Sequence, residues 1–279
     1  MAKVALITGC SSGIGQALAT RLREKGWQVY ATARRAETLN PLINIGCQGL
    51  TLDVTDMAQI NPVVEKILNN ENRIDLLINN AGYGLMGPLV EIPGKDLENQ
   101  FSTNLFGPLE LIKKVAPVMK AQKSGTIVNI GSVSGITATP FSGPYCASKA
   151  AFHALSDSLR MELAPFGIKV IIVQPGAIES NFGKNADKTV TEVLKPDSWY
   201  ASINEFIHKR AYTSQDSSTP VDKFTDYLLK IILKKNPPPV IRSGKKSFLL
   251  PFLKRSLPTG ILDKILMKKY GLYDLDQMT

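Results

Sequence analysis

The strongest constraint on this chain is an alternation. Short apolar runs at Val4 to Thr8, Val29 to Ala33, Gly49 to Asp53, Ile74 to Asn79, Thr126 to Ile130 and Lys169 to Gln174 are separated by stretches with apolar residues at helical spacing. The runs are rich in β-branched residues and apolar on both faces. Strands of that kind are buried on both sides, as in a parallel sheet covered by helices. Strand and helix follow one another without a linker or an internal repeat, which predicts one doubly wound α/β domain with a parallel sheet of the Rossmann type. A first helix carries Ala17, Leu18 and Leu22 and stops at Gly26. Others are expected over about 56–69, 95–121, 144–164 and 221–235. Beyond Pro175 the rhythm changes: residues 176–220 show no obvious strand, and Val240-Ile241 form a last short one after Pro237-Pro238-Pro239.

The first strand runs into Gly9-Cys10-Ser11-Ser12-Gly13-Ile14-Gly15 and then into a helix. A glycine-rich turn in this place aims bare backbone N–H groups from a helix N-terminus, an arrangement that binds a pyrophosphate. The spacing is GxxxGxG, and the competing reading is an ordinary strand-to-helix turn. The second strand ends in Tyr30-Ala31-Thr32-Ala33-Arg34-Arg35. No carboxylate is present there to hold a ribose 2′-hydroxyl, whereas an arginine pairs bidentately with a 2′-phosphate. The expected cofactor is therefore NADP(H), with Arg34 as its phosphate ligand, a hydroxyl added by Ser12, and Arg35 left on the surface.

Tyr145-Cys146-Ala147-Ser148-Lys149 places a phenol and an ammonium one helical turn apart, on one face. A free Tyr has a pKa of about 10, and a nearby cation favours the phenolate. Ser132 lies directly after a strand, thirteen residues before Tyr145, where a hydroxyl can hold a carbonyl oxygen. On residue grounds alone, Asn104 could equally cap or kink a helix and Asp53 could be an N-cap. Asn79 and His153 read as structural.

Taken together, Thr8 to Gly15, Asp53-Val54-Thr55-Asp56, Asn79-Asn80-Ala81-Gly82, Asn104, Ser132, Tyr145 with Lys149, and Pro175-Gly176 resemble the short-chain dehydrogenase/reductase family in order and approximate spacing, from about residue 3 to residue 180. The likeness is nearest to the NADP-dependent hydroxysteroid and retinoid branch. The resemblance implies that Tyr145 is the acid for reduction and the base for oxidation. Lys149 would depress its pKa and bind the nicotinamide ribose, Ser132 would polarise the carbonyl, and Asn104 would hold a water in a proton relay. Gly9, Ser11, Ser12, Gly13, Ile14 and Gly15 would take the cofactor phosphates. Asp53 and the Val54 backbone would meet the adenine, and Asn80, Ala81 and Gly82 would lie beside its ribose. Pro175, Gly176 and Ile178 would flank the nicotinamide, with Ser180 where the family often has Thr. A homodimer or homotetramer paired through two long helices is also implied. The competing function is a non-catalytic NADPH-binding regulatory module, against which stands a catalytic set with no member missing.

The expected organisation is a catalytic domain over 1–242, with a substrate lid at about 180–220, and a basic amphipathic extension over 243–279. Phe182, Val190, Val193, Leu194, Trp199, Tyr200, Ile203, Phe206 and Ile207 form either the core of the lid or, with Tyr83, Leu85, Met86, Phe141 and Pro144, an apolar wall. The second option calls for a lipophilic carbonyl or alcohol, such as a steroid, retinoid, lipid ketone or bulky aryl ketone. The net charge of +9 is concentrated at the end: residues 230–279 hold eleven basic and three acidic side chains. After Pro258, Thr259 is expected to cap a helix with Ile261, Leu262, Ile265 and Leu266 on one side and Gly271 at its end. Such a face either lies in a membrane interface or docks on the enzyme or a partner subunit. No reader motif points to nucleic acid. Three cysteines without a CxxC, and no paired Cys/His spacing, argue against a disulfide framework and a metal site. The N-terminal run is too short for a secretory signal and no run is long enough for a membrane span, so a cytoplasmic protein, free or membrane-associated, is expected.

Overall fold

A computed structural model describes residues 2–275. Seven strands, β1 (Val4–Ile7), β2 (Gln28–Ala33), β3 (Gln48–Thr51), β4 (Leu76–Asn79), β5 (Gly125–Ile130), β6 (Ile168–Pro175) and β7 (Val240–Ser243), form one parallel sheet in the order β3-β2-β1-β4-β5-β6-β7. Register follows the apolar runs, with Leu6 of β1 set between Tyr30 and Leu77. Helices cover both faces: α1 (Gly13–Glu24) and α9 (Val221–Ile232) on one side, α3 (Met57–Glu71), α5 (Gly107–Gln122) and α6 (Gly143–Leu163) on the other. Asp56 caps α3, its Oδ1 accepting from the Ala58 N–H at 2.9 Å. A short α2 (Asn40–Asn44), which the sequence does not signal, precedes β3.

The helix expected over 95–121 is three pieces. α4 (Gly94–Phe101) passes through a π-turn, Ser102–Phe106, into α5. Pro108 has no N–H to continue an α ladder, and Gly107 lies so close to the Val54 carbonyl that a Cβ would sit 2.3 Å from its oxygen. The π-turn absorbs the extra residue, and it carries Asn104 into the interior.

The lid is α7 (Phe182–Val193) and α8 (Asn204–Tyr212), joined by α10 (Leu249–Ser256) and α11 (Thr259–Lys269). The C-terminal segment is not a separate appendage. The expected boundary after residue 242 falls inside β7, and the chain beyond stays stitched to β6: Gly176 donates to Ser243 O at 2.9 Å and Ala177 to Lys245 O at 2.8 Å. Leu262, Leu266 and Tyr270 are buried with Met86, Phe141, Val190 and Ile207, so one pair of the expected α11 stripe docks on the lid. The other pair, Ile261 and Ile265, is exposed. Thr259 is not the cap: the cap position is Pro258, without a side-chain bond. Residues 276–279 of the expected extension lie outside the described residues.

Candidate active site

All strands run the same way, so their carboxyl ends share one edge, and the loops there carry the expected site residues. The chain winds from β1 outward to β3 and then crosses back to β4. That reversal is the kind of switch point where α/β sheets bind ligands. A single cavity of about 1130 Å³ lies along this edge. Arg34 follows β2 and Ser132 follows β5, three strand spacings apart, or roughly 14 Å.

At the β1 end, Gly9 has φ +71° and Gly13 φ +60°, left-handed conformations that glycine adopts without strain. A Cβ on Gly9 would meet Ala81 Cα at 2.8 Å. Ser12 occupies the cap position of α1 without a side-chain hydrogen bond, so the first N–H groups of the helix keep their freedom to bind an anion. Ser11, Ser12, Gly13 and Ile14 line the cavity; Gly15 is set back, where a Cβ would strike Gly9 O at 2.4 Å. Asn80 lines the cavity beside Ala81 and Gly82, while its side chain donates to Thr8 O at 2.9 Å and Gly9 O at 3.0 Å, holding the turn in shape. Asn79 is buried, bonded to Asn129 at 2.9 Å.

Arg34 is exposed on the cavity wall and has no ion-pair partner among the described residues; Arg35, expected only at the surface, also lines the cavity and lies 3.8 Å from Glu37. Asp53 spends one carboxylate oxygen on the N–H and hydroxyl of Thr55, at 2.9 and 2.7 Å, and lines the cavity next to Val54. Pro175, Gly176, Ile178 and Ser180, from the end of β6 onward, complete this side.

Tyr145 and Lys149 sit on the first turns of α6, and both line the cavity with Ser132. Lys149 is 5 % exposed and donates to Ile130 O at 2.7 Å. Burial alone pulls its ammonium down to about 8. Burial also dominates at Tyr145 and pushes the phenol up to about 12. The Ser132 hydroxyl pulls it down, Cys146 raises it further, and the Arg210 cation lowers it. Desolvation sets the direction at Tyr145, and the lowering pull expected from Lys149 is not among the causes of the shift. Asn104 does not line the cavity. Its amide donates to Tyr83 O and Ser148 Oγ, each at 3.1 Å, and accepts from Tyr83 N at 3.2 Å. Both ends of the amide are occupied by protein, so Asn104 ties the loop after β4 to α6.

Two further residues stand out: His153, read from sequence as structural, and Arg210, to which the sequence assigns nothing. His153 accepts the Ser132 N–H at 3.4 Å and fills the space beside Gly131 and Gly135, where a Cβ would meet its ring at 2.4 and 2.7 Å. Burial, with Lys149 second, pulls its pKa to about 4 and keeps it neutral. Its place one turn beyond Lys149 was the available signal. Arg210, on α8, is a buried cation on the cavity wall, and nothing in its sequence context marks it. The apolar wall divides. Phe182, Tyr83 and Met86 line the cavity, and Phe182 stacks at a tilt on Tyr145, 5.2 Å between ring centres. Val190, Val193, Ile203 and Ile207 are buried, Trp199 is exposed, and Leu85, Phe141, Pro144, Leu194, Tyr200 and Phe206 also lie off the cavity lining. The lid residues are mostly core, and the lid side of the cavity is more polar and basic than expected.

The family model for short chain dehydrogenase matches residues 3–191. The chain is 36% identical over 237 residues to a 3-ketodihydrosphingosine reductase of Bacteroides thetaiotaomicron, covering 85% of this chain and 86% of that one. It is 35% identical over 224 residues to an NADPH-dependent 1-acyldihydroxyacetone phosphate reductase of Schizosaccharomyces pombe, covering 80% and 73%. Among solved structures, a short-chain dehydrogenase from Streptomyces avermitilis superposes with a TM-score of 0.80 at 32% identity, over 99% of this chain and 98% of that one.

Proposed function

Because the chain belongs to the short-chain dehydrogenase/reductase family of oxidoreductases, we propose that it interconverts a ketone or aldehyde and its alcohol on a lipophilic substrate, with NADP(H) as the cofactor. The observation that carries this reading is the convergence of Tyr145, Lys149 and Ser132 on the same cavity as a glycine turn with free helical N–H groups. The residues present fit the cofactor. Gly9 and Gly13 leave room for phosphate oxygens, and Arg34 awaits a 2′-phosphate. Asp53 keeps one oxygen for the adenine amino group with Val54 beside it, Asn80, Ala81 and Gly82 border its ribose, and Pro175, Gly176, Ile178 and Ser180 flank the other end.

When bound, the nicotinamide supplies or accepts a hydride. Tyr145 is a neutral phenol near pH 7, so it can donate a proton to a carbonyl oxygen as negative charge develops there. In the reverse direction its phenolate takes the proton from an alcohol. Lys149, a buried cation without a carboxylate, stabilises that phenolate. The Ser132 hydroxyl orients the carbonyl. Asn104 and His153 act as positioning residues.

The relatives named above include two lipid-ketone reductases, one of them NADPH-dependent, which supports a lipid ketone here. NADPH oxidation is measured against a panel of 3-ketodihydrosphingosine, an acyldihydroxyacetone phosphate, a steroid ketone, retinal and an aryl ketone. At least one lipid ketone is expected to reach a kcat/KM of about 10⁴ M⁻¹s⁻¹ or more. Tight NADPH binding with no turnover across the panel would favour the regulatory module instead.

The surface supports a reading of assembly and location. Met161 on α6 and Phe106 just before α5 are exposed, which supports pairing through these helices into a homodimer or homotetramer. On α10, Phe252 is 63% exposed, as is Phe248 just before it. Lys245, Lys254 and Arg255 are neighbours in sequence, and the adjacent Leu249 and Leu250 line the cavity. An apolar tip ringed by lysines suits an anionic membrane surface from which a lipid enters. All three cysteines are free and buried, in keeping with a reducing, cytoplasmic compartment. Among the described residues no helix is long and apolar enough to cross a membrane.

A further inference from the structure

Arg210 is a charge without a counter-charge. It is 7 % exposed, on α8, and makes no ion pair among the described residues. Two neutral hydroxyls hold one edge of its guanidinium: Nε donates to Thr139 Oγ1 at 2.9 Å and Nη2 to Ser142 Oγ at 3.0 Å. The Tyr270 ring, from the C-terminal segment, covers the group at 5.7 Å. Nη1 has no hydrogen-bond partner among the described residues, and the residue lines the cavity that holds Tyr145.

Burying a guanidinium costs free energy, and a well-placed, hydrogen-bonded anion offsets more of that cost than neutral hydroxyls do. The obvious local candidate, Asp187 on α7, is engaged elsewhere, accepting from His208 Nδ1 at 2.6 Å and from the Tyr212 hydroxyl at 3.3 Å. Further cations line the same space: Lys184 and Lys188 from α7, and Lys246 and Lys269 from the C-terminal segment. Glu192 is the one lid carboxylate among the lining residues, and Asp53 belongs to the cofactor side. The cofactor's own phosphates are provided for at the glycine turn and Arg34. The substrate side of the cavity is therefore electropositive, with a fork pinned on one edge and open on the other. That is the geometry for bidentate capture of a planar or tetrahedral oxyanion.

Resting on the reductase reading above, we propose that Arg210 is an anion subsite of the substrate pocket, and that the substrate is a carbonyl lipid bearing an oxyanion, a carboxylate or a phosphate monoester, at its polar end. The C-terminal segment then has a second use. Tyr270 covers the guanidinium, and Lys246 and Lys269 add to the positive field at the pocket.

The test compares matched pairs below their micellar concentrations: a long-chain oxo fatty acid against its methyl ester, and an oxoalkyl phosphate against its free alcohol. Each pair is read twice, as kcat/KM with NADPH and as Kd by titration with NADP⁺ present. Wild type is expected to favour at least one charged member by about tenfold or more, which corresponds to about 1.4 kcal/mol. The pair showing the preference identifies carboxylate or phosphate as the group held. Arg210→Gln is expected to bring the ratio towards one, and Arg210→Lys, which keeps the charge but loses the fork, to give an intermediate ratio. Equal use of charged and neutral members by wild type would overturn the proposal, and so would a ratio that survives in Arg210→Gln. If Arg210→Gln does not fold, Arg210→Lys decides: a reduced ratio supports the subsite, and a ratio at the wild-type value overturns it. The Kd arm separates the two readings. Charge-selective binding lost in the variant, with no turnover of any member, would sink the reductase and leave the subsite standing.

Discussion

Burial acts on Tyr145 and Lys149 in opposite senses, and the chemistry depends on both. The phenol is pushed up to about 12 and so stays protonated, while the ammonium is pulled down to about 8. A lowered lysine pKa means that the charged form is held below that value and lost above it. The kcat/KM for ketone reduction is therefore expected to be flat below pH 8 and to fall above it, by about tenfold per pH unit for a single ionisation. Lys149→Arg, which stays charged, should remove that break whatever its absolute rate. A profile unchanged by the substitution would show that another group is titrating. His153, held neutral with a pKa near 4, does not contribute to the break. At the other side of the cavity, Arg34 makes no ion pair among the described residues. Arg34→Ala is expected to raise the KM for NADPH by about 10–100-fold, the range for a charge-assisted contact, with far less change for NADH. Equal rises for both cofactors would exclude Arg34 as the 2′-phosphate ligand.

The elements differ in how plainly the sequence announces them. The central strands are legible because a sheet buried on both faces needs continuous apolar runs; the edge strands β3 and β7 carry only Leu50 and Ile241 as buried apolar residues and are marked more by their place in the alternation. The glycine turn is legible because its conformation and close contacts admit little else. The break inside the 95–121 helix is hidden because a single inserted residue shifts the apolar phase too briefly to stand out in the pattern. Only Gly107 against Val54 and the missing N–H of Pro108 force it, and the first of these is a tertiary contact. Arg210 is hidden for a similar reason: its partners Thr139, Ser142 and Tyr270 are at least sixty residues away in sequence. The α11 stripe could be seen, but not which of its residues would meet a surface. Leu262 and Leu266 do; Ile261 and Ile265 do not. Leu262→Ala should therefore destabilise the protein by about 2–4 kcal/mol, and Ile265→Ala by no more than about 0.5 kcal/mol, measured by denaturant unfolding. Equal effects would mean that α11 does not dock on the lid as described.

At the scale of the molecule, the surplus charge belongs to a segment that completes the enzyme. Residues beyond 242 supply the last residue of β7, part of the cavity wall, and the aromatic cover on Arg210. Deleting them to test membrane binding would strip Leu262, Leu266 and Tyr270 from the lid core. The discriminating variant is instead Phe248→Asp with Phe252→Asp, both positions exposed. Flotation with anionic liposomes is expected for the wild type and lost in this variant, and equal recovery of the two would exclude the α10 tip as the contact. The central claim is that this cavity reduces a carbonyl with a proton from Tyr145, and Tyr145→Phe tests it most directly because it removes one hydroxyl and keeps the ring against Phe182. With NADPH and the best substrate of the panel, kcat is expected to fall by about 10²–10⁴-fold while the Kd for NADPH stays near the wild-type value. Turnover close to that of the wild type would contradict the account.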